Sequence, residues 1–477
     1  MIKKYIGFSI GTWGYAVVSF FTTPIISWLI VPEEFGKASI YSVTLSLMFV
    51  IVNLGSTSGV VRYYYQHRDV QSKRNLLYSS LFVPFLLASI ASFVLIMLRY
   101  KVSLFIFGDT NQSTGVFLLA ITLILNVFSS YSLLILRLEQ HSFLYSLAQI
   151  SANIVNIAVI ILYALFIQRN FYAIIYGLLL NKIVSITFTL FKFKFRQFWI
   201  GSFSISKDTI RKVLSYGIPL VPAGLIYLLF SSMDRLMIRA YSSFEDIGVY
   251  AAAYKIANVI NIIQGGFSAF WTPLAFERYE KNPKDTSFFS RMFNVVSSGI
   301  FLLFATALIG KDVIIYLFSK SYYEAVKIAP FLFFVYIMGI ASAVTSVGIG
   351  FSNKTFYHTI AVAISAVVNF IGNWYLIRFF GAKGAAISTG ISYIIFFLLR
   401  TYFAEKLYPV KYRFKPFFIL LLTSLSAAFI STFFGGIITD LVFFLMILTL
   451  DYAFYRSEMK EVLISTIRVV KTIVKRR

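Results

Sequence analysis

Long, uninterrupted apolar runs constrain this chain more than any other feature of its sequence. A helix that crosses a bilayer needs roughly 20 predominantly apolar residues, and runs of that length follow one another along the 477 residues. Transmembrane β-strands would instead give alternating segments of about ten residues. We therefore predict an all-α polytopic membrane protein with about 14 transmembrane helices. The predicted spans are residues 6–31, 37–61, 76–98, 114–136, 143–167, 171–191, 214–239, 248–271, 288–309, 329–351, 356–378, 385–403, 416–434 and 437–455.

The charged residues are few and unevenly distributed. Only 13% of the chain is charged, whereas a soluble domain carries about 25%. The formal net charge of +24 could suggest nucleic acid, but the chain lacks the water-soluble basic face that such binding requires. With the N-terminus placed inside, 30 of the 43 basic residues fall in inside segments and 10 in outside segments. The positive-inside rule then predicts that both termini are cytoplasmic.

Several kinds of chemistry are excluded by what the sequence lacks. There is no cysteine, and the three histidines, His67, His141 and His358, are too far apart to form a metal-spaced pair. No P-loop, convergent carboxylate pair or long outer loop occurs. We therefore predict no catalytic residues, no metal and no cofactor, and a membrane-embedded transferase or polymerase is the disfavoured alternative.

A faint internal repeat divides the chain at a long basic segment. Glu33–Gly36 resembles Glu245–Gly248, 212 residues later, and two further matches recur at nearly the same offset. Such parallel repeats occur in many transporters. The basic tail predicts either a helix on the membrane surface or an ordinary positive-inside tail. The predicted organisation is a six-helix lobe at 1–191, a cytoplasmic linker at 192–213, a second six-helix lobe at 214–403, two additional helices at 404–455 and a basic amphipathic tail at 456–477.

Ionisable residues inside the spans are functional candidates, because each is costly in a bilayer. Lys182 lies near the middle of its span without a nearby acidic residue, which favours a cation lining a cavity over a misplaced helix end. Asp234 and Arg235 lie next to each other in a span. A structural ion pair between them, or snorkelling of their side chains to the membrane surface, would explain their presence as well as a transport role does. Lys255 is the third basic residue predicted inside a span. These residues predict a cation-rich cavity.

Polar amides and helix breakers add two further predictions. Asn153 and Asn258 each lie three residues before another asparagine on the same helix face. Such faces point to other helices or to a wet cavity, rather than to lipid. Gly217, Pro219 and Pro222 interrupt the start of a span, which predicts either a functional hinge or a simple proline kink.

The combination of short motifs resembles that of a Wzx-type polysaccharide repeat-unit flippase, in the multidrug/oligosaccharidyl-lipid/polysaccharide exporter superfamily. Arg62 lies within one of these motifs. The motifs are SYGIPLVPAGL at 215–225, SSMDRLMI at 231–238, EDIGVYAAAYKIA at 245–257, EEFGKASIY at 33–41 and LGSTSGVVRYY at 54–64.

The resemblance implies a flippase for undecaprenyl-diphosphate-linked oligosaccharide, which would move from the cytoplasmic to the periplasmic leaflet by alternating access. It implies the bacterial inner membrane and a role in the synthesis of polysaccharide, such as the O-antigen of lipopolysaccharide. Membrane lipids are implied partners, and a polysaccharide polymerase and a chain-length regulator are further candidates. Its cavity residues map to Arg62, Asp234, Arg235 and Lys255; Lys182 is added from its position alone.

Two rival functions within the superfamily stay open. A cation-coupled multidrug exporter would rely on intramembrane carboxylates, usually in the first half, where the predicted spans contain none. A peptidoglycan lipid-precursor flippase would have a similar fold and a similarly charged cavity. The sequence does not separate these two flippases.

Overall fold

The computed structural model describes residues 20–191 and 197–474, with no side-chain description at 459 or 461–474. Every regular element in these ranges is a helix, and twelve helices are long and apolar enough to cross a membrane. The predicted all-α polytopic architecture is therefore confirmed. Most of the first predicted span lies outside the described residues. The prediction of an amphipathic tail depends mainly on side chains that are also outside them.

The chain forms two compact units, which are described separately. The first contains the described residues up to Arg239, together with Ser243–Gly248. In this unit, α6 is the most buried of the spans, since neighbouring helices cover it on several sides. The helices that begin in this unit are α1 (Phe20–Leu29), α2 (Pro32–Asn53), α3 (Ser56–Tyr63), α4 (Val70–Met97), α5 (Arg99–Phe107), α6 (Ser113–Leu138), α7 (Ser142–Phe166), α8 (Tyr172–Phe191), α9 (Lys207–Gly217), α10 (Val221–Tyr241) and α11 (Phe244–Ala257).

The second unit contains Ala240–Ser242 and the chain from Val249 onward. Its centre is α14, whose side chains are almost all buried between α13, α16 and α17. The helices that begin in this unit are α12 (Val259–Lys281), α13 (Ser287–Ile314), α14 (Ala325–Thr345), α15 (Val347–Phe351), α16 (Phe356–Leu407), α17 (Phe414–Phe433) and α18 (Ile437–Val474).

Two of the predicted spans are interrupted in the structure. The span at 37–61 is interrupted, because Leu54 and Gly55 adopt positive φ angles of 48° and 67° between α2 and α3. The span at 248–271 is interrupted at Asn258, between α11 and α12. The spans at 356–378 and 385–403 remain two helices, as predicted. Helix α16 reverses direction at Gly381, where φ is 53° and ψ is −131°. Its two halves pack on each other, with Ser388 Oγ donating to the Asn369 carbonyl at 2.9 Å.

The second half of the predicted linker is docked on α4. Arg74, only 9% exposed, donates hydrogen bonds from Nε to the Gln197 carbonyl and from Nη1 to the Ser202 carbonyl, each at 2.8 Å. The Tyr78 ring stacks on Phe203 with centroids 4.0 Å apart. The described part of the linker is therefore an ordered strap along the first unit.

The strap leads into α9, an amphipathic helix that packs on α3. Its first turn is capped by Ser206, whose hydroxyl accepts a hydrogen bond from the Thr209 backbone N–H. Helices α9 and α10 pack with the first unit, so the two compact units do not divide at the linker. The predicted division into two six-helix transport lobes stays a prediction.

Candidate functional site

Lys182 lies at the middle of α8, where a charge is most costly. The helix packs on α6 and α7, and Gly177 permits close approach, since an added Cβ there would lie 2.4 Å from Asn156 Oδ1. The Lys182 side chain is half-buried and forms no hydrogen bond or ion pair with the residues that the structure describes. An uncompensated ammonium group at this depth is suited to an anionic ligand or a wet cavity.

The amide face of α7 lies beside the same helix. Asn153 is 5% exposed, and its Nδ2 has no hydrogen-bond partner among the described residues. The Oδ1 atom of Asn156, one turn later, is also buried without a partner there. Buried amide groups of this kind ordinarily bind protein groups or water, so this face contributes free hydrogen-bonding capacity to the first unit.

Asp234 and Arg235 lie on α10. The Asp234 side chain is 2% exposed, whereas Arg235 is half-buried and its Nη2 donates to the Ser231 carbonyl at 3.4 Å. Consecutive helical residues point about 100° apart, so the two side chains leave α10 in different directions. Arg62 is exposed in the last turn of α3. The candidate cations of the first unit thus lie on three different helices.

Lys255 and Asn258 flank the break between α11 and α12 in the second unit. Lys255 is half-buried in the last turn of α11. Asn258 Oδ1 accepts hydrogen bonds from the Tyr336 hydroxyl at 2.9 Å and from Asn261 Nδ2 at 3.1 Å. The asparagine pair predicted on one helix face is therefore in direct contact, and a tyrosine of α14 fixes its position.

The predicted hinge residues surround a short 3₁₀ turn at Ile218–Leu220, which joins α9 to α10. Pro219 lies in this turn and Pro222 lies at the second position of α10. Proline is tolerated at the first positions of a helix, where its fixed φ is already helical. The helix narrows here to a short 3₁₀ turn, and the functional hinge stays a prediction.

Gly217 has a packing role that the sequence did not indicate. A Cβ on Gly217 would lie 2.7 Å from the backbone of Gly55, and one on Gly59 would lie 2.7 Å from the Val213 carbonyl oxygen. We call this backbone approach of α3 and α9 the linker contact. Only glycine permits it at Gly55, where φ is also positive.

The two copies of the predicted repeat motif pack reciprocally on each other. A Cβ on Gly36 would lie 1.9 Å from the Phe244 carbonyl oxygen, and one on Gly248 would lie 1.9 Å from the Pro32 carbonyl oxygen. The equivalent positions thus exchange the same contact. We call this the repeat contact.

Charged side chains surround the repeat contact. The Lys37 ammonium lies 2.6 Å from Glu34 and 2.9 Å from Glu33, and Glu34 accepts a hydrogen bond from the Phe171 backbone N–H at 2.8 Å. The first-half carboxylates of α2 therefore lie in its first turn, paired with a cation. They do not form the unpaired intramembrane carboxylate that a cation-coupled exporter would use.

A buried ion pair in the second unit was missed at the sequence level. Lys311 and Asp440, 2% and 1% exposed, are 2.6 Å apart, and Asp312 lies 3.1 Å from the same ammonium. The predicted spans place Lys311 and Asp312 in an outer connector and Asp440 at the start of the last span, but α13 continues to Ile314 and buries Lys311. The only sequence feature that could have indicated this ion pair is that its residues lie close to the ends of predicted spans.

A cavity of about 430 Å³ adjoins this ion pair. Burial by itself would raise the pKa of Glu324 at its rim, but Lys327 and Lys383 lower that pKa below its ordinary value. The cavity therefore contains carboxylate, ammonium and phenol groups together. Its polar lining includes Lys311, Asp312, Tyr316, Tyr323, Glu324 and Lys327.

Comparisons with known proteins agree with this architecture. The family model described as "Polysaccharide biosynthesis protein" matches residues 25–327. An "Uncharacterized membrane protein" of Haemophilus influenzae is 25% identical over 295 residues. That match covers 59% of this chain and 66% of the relative, so the chain spans a little under two thirds of the relative's length.

Two solved structures share the fold. The lipid II flippase MurJ, in an inward closed conformation, matches with a TM-score of 0.69 at 16% identity, over 95% of this chain and 100% of that chain. An inward-facing multidrug resistance MATE family transporter of the MOP superfamily matches with a TM-score of 0.58 at 17% identity, over 86% and 96%. These relatives are transport proteins rather than enzymes. Because the family model covers more than half of the sequence, the chain belongs to the polysaccharide biosynthesis protein family.

Proposed function

We propose that the chain is a flippase for an anionic, lipid-linked oligosaccharide. Lys182 carries the proposal, because it places an ammonium group without a partner among the described residues halfway along a membrane-spanning helix. A diphosphate that crosses hydrocarbon needs a compensating positive charge. The exposed Arg62 and the half-buried Arg235 and Lys255 provide further cations on other helices.

The proposed substrate is an undecaprenyl-diphosphate-linked oligosaccharide repeat unit, carried from the cytoplasmic to the periplasmic leaflet by alternating access around a cationic cavity. The match to a polysaccharide biosynthesis family supports this class of cargo. A polymerase and a chain-length regulator that act on the translocated unit are proposed partners. O-antigen and lipopolysaccharide are the proposed pathway context.

The proposed location is the bacterial inner membrane, with both termini cytoplasmic. The positive-inside bias supports this orientation. Cysteine labelling tests it cleanly, because the chain has no cysteine of its own. Positions 320 and 280 are both exposed in the fold, so burial does not bias the comparison. An impermeant maleimide added outside the cell should react with Lys320→Cys, which is predicted outside, and not with Glu280→Cys, which is predicted inside. The reverse pattern would contradict the orientation.

Deletion of the gene followed by lipid analysis tests the function. We expect complete oligosaccharide-diphosphate lipid to accumulate on the cytoplasmic leaflet, because synthesis continues while translocation stops. Complementation should restore polysaccharide, and a Lys182→Ala protein of equal abundance should not. Unchanged lipids with altered drug sensitivity would contradict the proposal and favour the exporter. Accumulation of the peptidoglycan precursor would assign that lipid as the substrate instead.

A further inference from the structure

Four buried oxygen atoms, without hydrogen-bond partners among the described residues, lie along the interface between α13 and α18 in the second unit. They are Asn294 Oδ1, Ser297 Oγ, Asp451 Oδ1 and the Tyr455 hydroxyl. All four side chains are more than nine-tenths buried. Buried polar atoms ordinarily have a hydrogen-bond partner, so four such atoms in one helix interface indicate that something else satisfies them.

Sequence spacing explains why these oxygens share one helix interface. Asn294 and Ser297 are three residues apart on α13 and therefore share a face; Asp451 and Tyr455 are four apart on α18. Two hydrogen bonds hold these faces together. Ser298 Oγ donates to Asp451 Oδ2 at 2.7 Å, and Asn294 Nδ2 donates to Glu458 Oε1 at 3.1 Å.

The backbone of α18 bends at this place. Tyr455 has φ −123° and ψ 23°, outside the helical region, and its hydroxyl lies beside Ser297 without a hydrogen bond of normal geometry. Carbonyl groups at irregular helix positions are used as cation ligands in membrane transporters.

The charges at this interface do not balance. Glu458 has a basic neighbour, since Arg413 Nη1 lies 3.6 Å away. Asp451 is 0% exposed, and no lysine, arginine or histidine among the described residues lies within ion-pair distance of it. An isolated buried carboxylate is strongly unfavourable unless a positive charge accompanies it.

We propose that this interface binds a sodium ion. One carboxylate, one amide oxygen and two hydroxyls form a set of hard oxygen ligands, which suits a hard cation. A single uncompensated carboxylate balances one positive charge, so the set favours a monovalent over a divalent ion. Binding does not depend on the flippase proposal, because it is measured on the full chain without lipid-linked substrate.

Radioactive sodium binding to the purified full-length protein tests the site. We expect saturable ²²Na⁺ binding that Asp451→Asn weakens by at least about tenfold, since ligand charge sets affinity in oxygen-lined sites. Asp312→Asn is the matched control: it removes a carboxylate at the other end of the same helix pair, and Lys311 keeps Asp440 as its partner. Equal binding by the wild type and Asp451→Asn, or no saturable binding by the wild type, would overturn the proposal.

A second variant keeps the test decisive if Asp451→Asn folds poorly. Asn294→Asp adds a second carboxylate to the same ligand set, so calcium should now raise the thermal unfolding temperature, which it should not do in the wild type. Sodium should stabilise the wild type relative to equal N-methylglucamine chloride. A carboxylic-acid vibration that Asp451→Asn abolishes, without any sodium dependence, would assign a proton to the site and overturn the proposal.

Discussion

Alanine at position 36 would force the repeat contact apart. The added Cβ would lie 1.9 Å from the Phe244 carbonyl oxygen, and ordinary van der Waals contact begins near 3.4 Å. The two backbones must therefore separate by about 1.5 Å, and overpacking of this kind costs about 1–3 kcal/mol. This cost corresponds to a roughly 5- to 150-fold shift of the equilibrium between the closed and the open contact towards the open state.

The assay uses a cysteine at a buried position next to Gly248 of the repeat contact. Ile247 is 0% exposed, so a maleimide should react with Ile247→Cys only when the contact opens. Labelling should be faster by roughly the same 5- to 150-fold in the Gly36→Ala background. Gly248→Ala should behave in the same way, because the contact is reciprocal.

Gly299→Ala is the matched control. Gly299 lies within α13, and no atom outside its own helix lies within 4 Å of a Cβ built there. Alanine is favoured over glycine in a helix by about 0.5–1 kcal/mol, so this variant should be neutral or slightly stabilised. Equal labelling rates in the Gly36→Ala and Gly299→Ala backgrounds would refute the steric reasoning.

Two further predictions concern buried charges. Arg74→Ala should release the strap that follows residue 196, since hydrogen bonds to a charged group contribute about 1.5–3 kcal/mol each, and chymotrypsin should then cleave at Trp199 faster than in the wild type. Unchanged cleavage would show that the arginine does not hold the strap. Lys311→Met should lower the unfolding temperature in detergent, because removing one member of a buried ion pair costs about 3–5 kcal/mol. The Lys311→Met/Asp440→Leu double variant should recover much of the loss; a double variant less stable than the single would contradict this explanation.

Much of the fold follows from the sequence because membrane spans depend on local composition. Apolar length alone predicts helices such as α4 and α6. The interruption at Asn258 was not predictable in this way, since no proline or adjacent glycine marks it. Asn258 instead contacts the Tyr336 hydroxyl of a distant helix, a contact that only the fold reveals.

The candidate site was predictable only in part. The sequence placed Lys182 at mid-span because its cost there is local and requires no knowledge of packing. The repeat motif that contains Gly36 and Gly248 is also visible in the sequence, but the contact between its two copies is not. Lys311 and Asp440 are 129 residues apart, and Lys311 was predicted in a connector, so only the fold reveals that they form a buried pair.

The most direct test of the account is lipid translocation by purified protein in proteoliposomes. We expect Lys182→Ala to reduce the initial rate of transfer of an undecaprenyl-diphosphate-linked oligosaccharide by at least about tenfold, since a mid-membrane charge is worth about 2.5–3.5 kcal/mol. Lys182→Arg, which keeps the charge, should retain most of the rate. Wild-type rates for Lys182→Ala, in protein that inserts and folds normally, would contradict the central claim that this ammonium group compensates the diphosphate during transport.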